Sequence, residues 1–298
     1  MPLPLSYPGL KCILENLEAV KRAHIIGRSP GLQKIDKLIP LCLENFYVGY
    51  REIIINKLSI KFEKDVKFGM NRIAVSRKGL KSRNETMKKL INFFICERSK
   101  IHVNNLNWNK SLLPDFLPVD LKFRVNSLTF DTLLPFIDSR SFPLKTMVTY
   151  FRASLFDNLY VTSAETLHQY LPIDRIVTVE DLKKLNNKKV VFDYCSSSRV
   201  DMVPLIKYHF ETKQDVRTIF VISTHIGVIN KMLREFEHTF REYINALDDV
   251  NKRFIPGSPQ FSIPINNESR IQVYAIEDPE DKFPYNLIVK PVSEVSGL

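Results

Sequence analysis

The 298 residues are 44% apolar and 26% charged, with a formal net charge of +10, which suits one large core or two modest ones and excludes a mostly disordered chain. Apolar runs such as Ile219-Phe220-Val221-Ile222 fall far short of the roughly 18 residues a membrane helix requires. The opening Met1-Pro2-Leu3-Pro4 has no basic region, and Lys11 and Glu15 interrupt any signal-like apolar stretch, so the expected address is intracellular, cytoplasmic or nuclear, and not secreted.

The charge is unevenly placed. Residues 1–100 hold 20 Lys/Arg against 9 Asp/Glu and the other 198 hold 23 against 24, so the basic excess belongs to the N-terminal third. Cys12, Cys42, Cys96 and Cys195 lie far apart with no C-x-x-C pair, which predicts reduced, mostly buried thiols. Nine glycines leave little material for glycine-rich cofactor loops.

In chain order, Tyr7-Pro8 suits a helix start, and Leu10, Ile13, Leu14 and Leu17 follow at i, i+3, i+4 and i+7, predicting an amphipathic helix. A second short helix is expected over 20–26, and a third restarts at Ser29-Pro30 and stops at Pro40. From Leu41 to Phe62 the β-branched and aromatic content rises around the turn-like Gly49-Tyr50, predicting a hairpin. Residues 63–83 show no period and read as an exposed basic loop or linker. Asn84 is a candidate N-cap for a helix carrying Met87, Leu90, Ile91 and Phe94.

Strands are expected over 101–108 and 121–130, a short helix over 131–137 and a strand over 144–151, while 158–171 stays open between helix and strand. Thr178-Val179-Glu180-Asp181 has the form of a capping box, opening a helix that Asn186-Asn187 ends before a strand at 189–194. A helix over 201–210, a strand over 217–223 and a long helix bearing Ile229, Met232, Leu233, Phe236, Phe240, Tyr243, Ile244 and Leu247 follow. Short strands at 260–265, 270–276 and 286–289 predict a closing antiparallel sheet.

An Asn-x-Leu core framed by apolar residues occurs three times, in 55–60, 103–108 and 125–130, with starts 48 and 22 residues apart. Those intervals approximate two units and one unit of the roughly 20 to 29 residue leucine-rich repeat. Catalytic signals are lacking. There is no G-x-x-x-x-G-K-[ST], no G-x-S-x-G and no H-x-x-x-H or H-E-x-x-H among His24, His102, His168, His209, His225 and His238. Ser196-Ser197-Ser198 reads as a helix-entry loop, and Asp248-Asp249 and the acidic run 277–281 as solvated turns. The expectation is therefore no enzyme, no cofactor and no metal. Residues 57–100 hold 13 Lys/Arg against 4 Asp/Glu among Phe62, Phe68, Phe93 and Phe94. A solvated cationic loop is the preferred reading, with a polyanion or nucleic-acid site through Lys78, Lys81, Arg83, Lys88 and Lys89 as the alternative.

The segments 5–19, Arg28-Ser29-Pro30, Ile35-Asp36-Lys37, 136–146, Ser163-Ala164-Glu165-Thr166-Leu167, 179–188 and 257–265 together resemble a nematode-expanded group of uncharacterised, F-box-associated-like proteins. That resemblance covers essentially the whole chain. It implies a non-enzymatic substrate receptor of a cullin-type ubiquitin ligase, in which Leu10, Ile13, Leu14 and Leu17 form the helical face that docks a Skp1-type adaptor. The expected fold is α/β: a small degenerate F-box-like helical segment (1–40), a β-hairpin and basic connector (41–83), and an irregular leucine-rich-repeat-like β/α stack (84–298) ending in a short antiparallel sheet. The expected function is protein interaction with an unknown substrate and no membrane contact.

Overall fold

In Leu41-Cys42-Leu43-Glu44-Asn45-Phe46-Tyr47-Val48 apolar residues alternate, slip by one position at Glu44-Asn45, and alternate again. All four odd-then-even apolar positions, Leu41, Leu43, Phe46 and Val48, are buried. The same phase slip occurs in Ile101–Trp108 and Phe123–Thr129. Three strands with one shared irregularity can lie side by side in register, and a computed structural model places them so. It describes residues 7–70, 73–77, 82–98, 100–109, 117–194, 197–245, 247, 253–279 and 283–293. The chain divides into two units, Met1–Phe142 and Pro143–Leu298, and the expected divisions after residues 40 and 83 both fall inside the first.

In the first unit, α1 (Tyr7–Asn16), α2 (Ala19–Arg28) and α3 (Gln33–Leu38) precede β1 (Leu41–Val48), β2 (Glu52–Ile55), β3 (Leu58–Phe62), β4 (Val66–Met70) and β5 (Ile73–Arg77). Next come α4 (Arg83–Phe94), β6 (Ile101–Trp108) and β7 (Phe123–Thr129). The strand order is β7-β6-β1-β2-β3-β4-β5. β1, β6 and β7 are parallel, and the rest form an antiparallel meander. The parallel set builds its core in rungs: Leu41, Ile101 and Phe123; Leu43, Val103 and Val125; Phe46, Leu106 and Leu128. Phe46 meets Trp108 edge-on and Phe123 at a tilt, both with ring centroids 6.4 Å apart.

Several sequence expectations are corrected here. Asn56-Lys57-Leu58 is no rung. Asn56 sits at φ 53 in the tight β2–β3 turn, a left-handed conformation that asparagine tolerates. Its Oδ1 accepts from Glu44 N (2.9 Å) and Asn45 N (3.2 Å), so it supports the phase slip of β1 from outside the stack. The rung it was expected to supply comes from Asn45-Phe46, where phenylalanine replaces leucine. The expected hairpin at 41–62 is three strands, and the expected loop at 63–83 contains β4 and β5. β5 has no buried face, with Ile73, Ala74, Val75 and Ser76 all exposed, and β4 buries only Val66, so neither strand shows a burial period. Ser82, two residues before the expected Asn84, caps α4 by accepting from Glu85 N.

An ion network joins the N-terminal helices to α4. Asp36, 2% exposed, holds Arg22 Nε at 2.9 Å on one carboxylate oxygen and the Arg98 guanidinium on the other. Arg98 also donates to the carbonyls of Asp36 (2.9 Å) and Phe94 (2.6 Å). Lys37 Nζ donates to the carbonyls of Asn92, Phe93 and Cys96, satisfying acceptors that the end of α4 leaves open. Burial lowers the pKa of both Arg22 and Lys37.

The second unit contains β8 (Thr146–Tyr150), α5 (Leu159–Thr162), β9 (Thr166–Leu171), β10 (Ile176–Val177), α6 (Val179–Lys183), β11 (Lys189–Tyr194), β12 (Arg199–Val200) and α7 (Met202–Thr212). β13 (Ile219–Thr224), α8 (Ile226–Phe240), β14 (Phe261–Pro264), β15 (Ser269–Glu277) and β16 (Tyr285–Ser293) complete it. The order is β14-β15-β16-β13-β11-β9-β8, with β8, β9, β11 and β13 parallel and the last three strands antiparallel, as expected for the C-terminus. β10 and β12 pair separately. The capping box at Thr178 and Asp181 is present, and the open segment 158–171 resolves into α5 and β9. α8 stops at Phe240, so Tyr243, Ile244 and Leu247 lie beyond it; Phe236 and Phe240 carry its buried stripe. Cys12 and Cys42 are exposed and only Cys96 is buried among the described cysteines, because Cys12 and Cys42 occupy the outward positions of α1 and β1; Cys195 lies outside the described residues.

Candidate functional site

A parallel strand whose apolar residues all face one way must present its remaining residues on the opposite face, and parallel registry lines those residues up across strands. In the first unit the phase slip turns two successive residues outward on each strand. Asn126 Nδ2 donates to Asn104 Oδ1 at 3.0 Å, and Asn104 Nδ2 donates to Glu44 Oε2 at 2.5 Å. Alongside, Asn105 Nδ2 donates to Asn45 Oδ1 at 3.0 Å. The result is a ladder of amides ending on a carboxylate. Next to it lies the row Cys42, His102 and Arg124. Burial first, then the nearby cations Arg124, Lys100 and Arg140, lowers the His102 pKa, so this ring is neutral at pH 7.

In the second unit the outward row is longer. Tyr150, Tyr170, Asp193, Ser223 and Asn286 are register partners across five strands. The Tyr150 and Tyr170 rings lie 5.6 Å apart, and Tyr170 is 5.4 Å from His168. His168 Nε2 lies 2.8 Å from Asp193 Oδ2, and Ser223 Oγ donates to Asn286 Oδ1 at 2.5 Å. Ser223 and Asn286 are buried while the two tyrosines and His168 are half-buried. The serine is therefore committed to its neighbour, and the accessible part of the row is aromatic. Such a surface can stack on and hydrogen-bond to another macromolecule.

The residues singled out in the sequence do not gather here. On α1, Leu14 is buried at 1% exposure, Ile13 is 46% exposed and Leu10 is half-buried; Leu17, expected on the same helical face, is half-buried just beyond the end of α1. Of the basic set, Lys78 and Lys81 lie outside the described residues. Arg83 is half-buried with its guanidinium carbon 4.0 Å from the Tyr50 ring centroid. Lys88 and Lys89 are exposed on α4, and Lys89 lines a cleft of about 430 Å³ with Lys37, Asn92, Phe93 and Cys96. Burial raises the Cys96 thiol pKa, which suppresses thiolate chemistry in that cleft. Ser198 Oγ donates to Pro172 O at 2.7 Å. Among the described residues no group of three His, Cys, Asp or Glu side chains could hold a metal, and no helix is long and apolar enough to cross a membrane.

Residues 82–225 match the model of a domain of unknown function, DUF3557. No curated protein and no solved structure matches the chain. The matched span starts at the cap of α4 and ends just after β13, so it includes Asn104, Asn126, Tyr150, His168, Tyr170, Asp193 and Ser223. It leaves out the helices α1 to α3, the meander β1 to β5 and the closing strands β14 to β16. Sequence reasoning missed the tyrosine row because its members come from five separate strands; the usable signal was a polar or aromatic residue near the C-terminal end of each of the four parallel strands, Tyr150, Tyr170, Asp193 and Ser223.

Proposed function

We propose that this chain is a non-enzymatic protein-interaction module that receives a partner on the outward faces of its parallel strands. The observation that carries the reading is the cluster of half-buried rings Tyr150, Tyr170 and His168, in which Tyr150 and Tyr170 are register partners on β8 and β9 and His168 lies two residues before Tyr170 on β9. Tyrosine supplies large, stiff contact area with a polar tip, the profile of an interface anchor. Parallel strands following one another in chain order within each unit support a leucine-rich-repeat-like stack, a construction that serves extended recognition surfaces.

Within this proposal the chain acts as a substrate-recognition subunit of a cullin-type ubiquitin ligase, a reading supported by the resemblance of its N-terminal helices to an F-box-associated group. Ile13 is the α1 residue best exposed for docking a Skp1-type adaptor. The test is affinity capture by the full chain, comparing wild type with Tyr170→Ala, Ile13→Asp and Lys207→Ala, the last an exposed control. A partner retained by wild type and by Lys207→Ala but lost with Tyr170→Ala is the expected result; an unchanged partner profile with Tyr170→Ala would overturn the face assignment. Purified Skp1-type adaptor should bind wild type and not Ile13→Asp. Failure to bind wild type removes the ligase reading alone.

A further inference from the structure

Outward positions at the start of β6 and β7 gather cationic side chains. Ile101 and Phe123 are buried register partners, so the residues flanking each turn to the opposite face: Lys100 and His102 on one strand, Lys122 and Arg124 on the next. His102 and Arg124 are themselves register partners, and Lys100 stands across from Lys122. These four positions mark out a rectangle of about 4.8 Å across the ladder and about 6.6 Å along it. Side chains as long as lysine and arginine span that distance, so their tips can meet one small group.

Most of these donors are unspent. Among the described residues, the Arg124 guanidinium, Lys100 Nζ and both ring nitrogens of His102 have no hydrogen-bond or ion-pair partner. Lys122 Nζ donates only to a neutral acceptor, Pro135 O, at 2.6 Å. The charges acting on the His102 ring are those of Arg124, Lys100 and Arg140, opposed by Asp138, and Asp138 is already paired with Arg140 at 2.6 Å. On β1 the neighbour of His102 is the exposed thiol Cys42. Glu44 lies one row further on, where it accepts from Asn104. Lys100, Lys122 and Arg124 therefore remain uncompensated around a half-buried imidazole.

We propose that Lys100, His102 and Arg124 form a binding site for a phosphate monoester, either free or carried on a protein side chain. Such a group brings a charge of about −2 and three acceptor oxygens, which answer the uncompensated cations. Arg124 offers its planar fork to two oxygens, and Lys100 and a His102 N–H donate to the remaining lone pairs. Lys122 adds charge from the side. A nucleic-acid backbone is a poorer match, because it calls for cations repeated along a track and rings that stack on bases. The next outward rows, Glu44-Asn104-Asn126 and Asn45-Asn105-Ser127, hold a carboxylate, amides and a hydroxyl instead. The site uses no residue of the tyrosine cluster, so it goes beyond the protein-interaction reading and stands or falls apart from it.

The test follows the His102 ring signals of the full chain by NMR while inorganic phosphate is added. They should shift saturably and their titration midpoint should rise, because the dianion offsets the surrounding cations; sodium chloride at equal ionic strength should do neither. Arg124→Gln and Lys100→Gln should each weaken phosphate binding about ten-fold. Both residues are exposed, so the variants keep their fold, checked by their unfolding midpoints, and Lys207→Ala should bind as wild type does. A short fluorescein-labelled peptide bearing one phosphoserine, compared with its serine counterpart by anisotropy, separates the two sources. Binding tighter than that of inorganic phosphate assigns the group to a protein side chain, and weaker binding assigns it to a free ester. No response to phosphate up to about 10 mM, an equal response in Arg124→Gln, or tighter binding of a labelled oligothymidylate of equal charge would overturn the proposal.

Discussion

Asp36 is the residue on which most of the N-terminal packing converges. It neutralises two arginines that are nearly as buried as it is, with side-chain exposures of 3% for Arg22 and 4% for Arg98. Removing one member of such a group leaves the others charged and without water. Asp36→Ala is expected to lower unfolding free energy by about 3–5 kcal/mol, read from urea denaturation. A loss below about 1 kcal/mol would mean that solvent reaches the arginines. His102 makes a pH prediction. Its folded pKa lies below the ordinary value of 6.5, so the unfolded chain binds the extra proton first. Stability from this group is complete above pH 6.5 and declines as pH falls toward the folded value. His102→Gln should flatten that part of the stability profile, and an NMR titration of the ring should give a midpoint under 6.5; a midpoint above it contradicts the cation-lined environment of β6.

At the scale of elements, local signals were legible and tertiary ones were not. The Thr178 capping box announced α6 because both of its halves fit within four residues, with Thr178 Oγ1 accepting from Asp181 N and Asp181 Oδ2 accepting from Thr178 N. Thr178→Ala should cost about 1 kcal/mol in thermal or urea unfolding, and an effect near zero would show that tertiary packing alone holds α6. The strand at 189–194 was equally plain, as an apolar run that begins where α6 ends. By contrast the Asn-x-Leu motif located two of its three rungs. It follows side-chain identity, whereas the strands are aligned by the phase of burial, and Phe46 fills a leucine position without matching the motif. α8 was overextended because Ile244 keeps helical spacing after the chain has turned away, its backbone bridging Phe261. The tyrosine row was invisible for a third reason: no local period links residues that only strand pairing brings together.

Across the whole molecule, charge and exposure follow the division into units. Residues 1–142 carry 24 Lys/Arg against 13 Asp/Glu, and residues 143–298 carry 19 against 20, so the basic excess seen in sequence is a property of the first unit. Each unit also has strands paired on both edges and strands paired on one. β6 lies between β1 and β7, and β11 between β9 and β13, whereas β5 and β14 end their strand orders. Opening an amide on a central strand requires breaking two ladders and exposing a buried rung; at β5 it requires breaking one ladder whose side chains already face water. Native-state hydrogen exchange should therefore find the slowest amides on β6 and β11 and the fastest strand amides on β5. Protection of β5 equal to that of β6 in the isolated chain would mean that its outer edge is already covered.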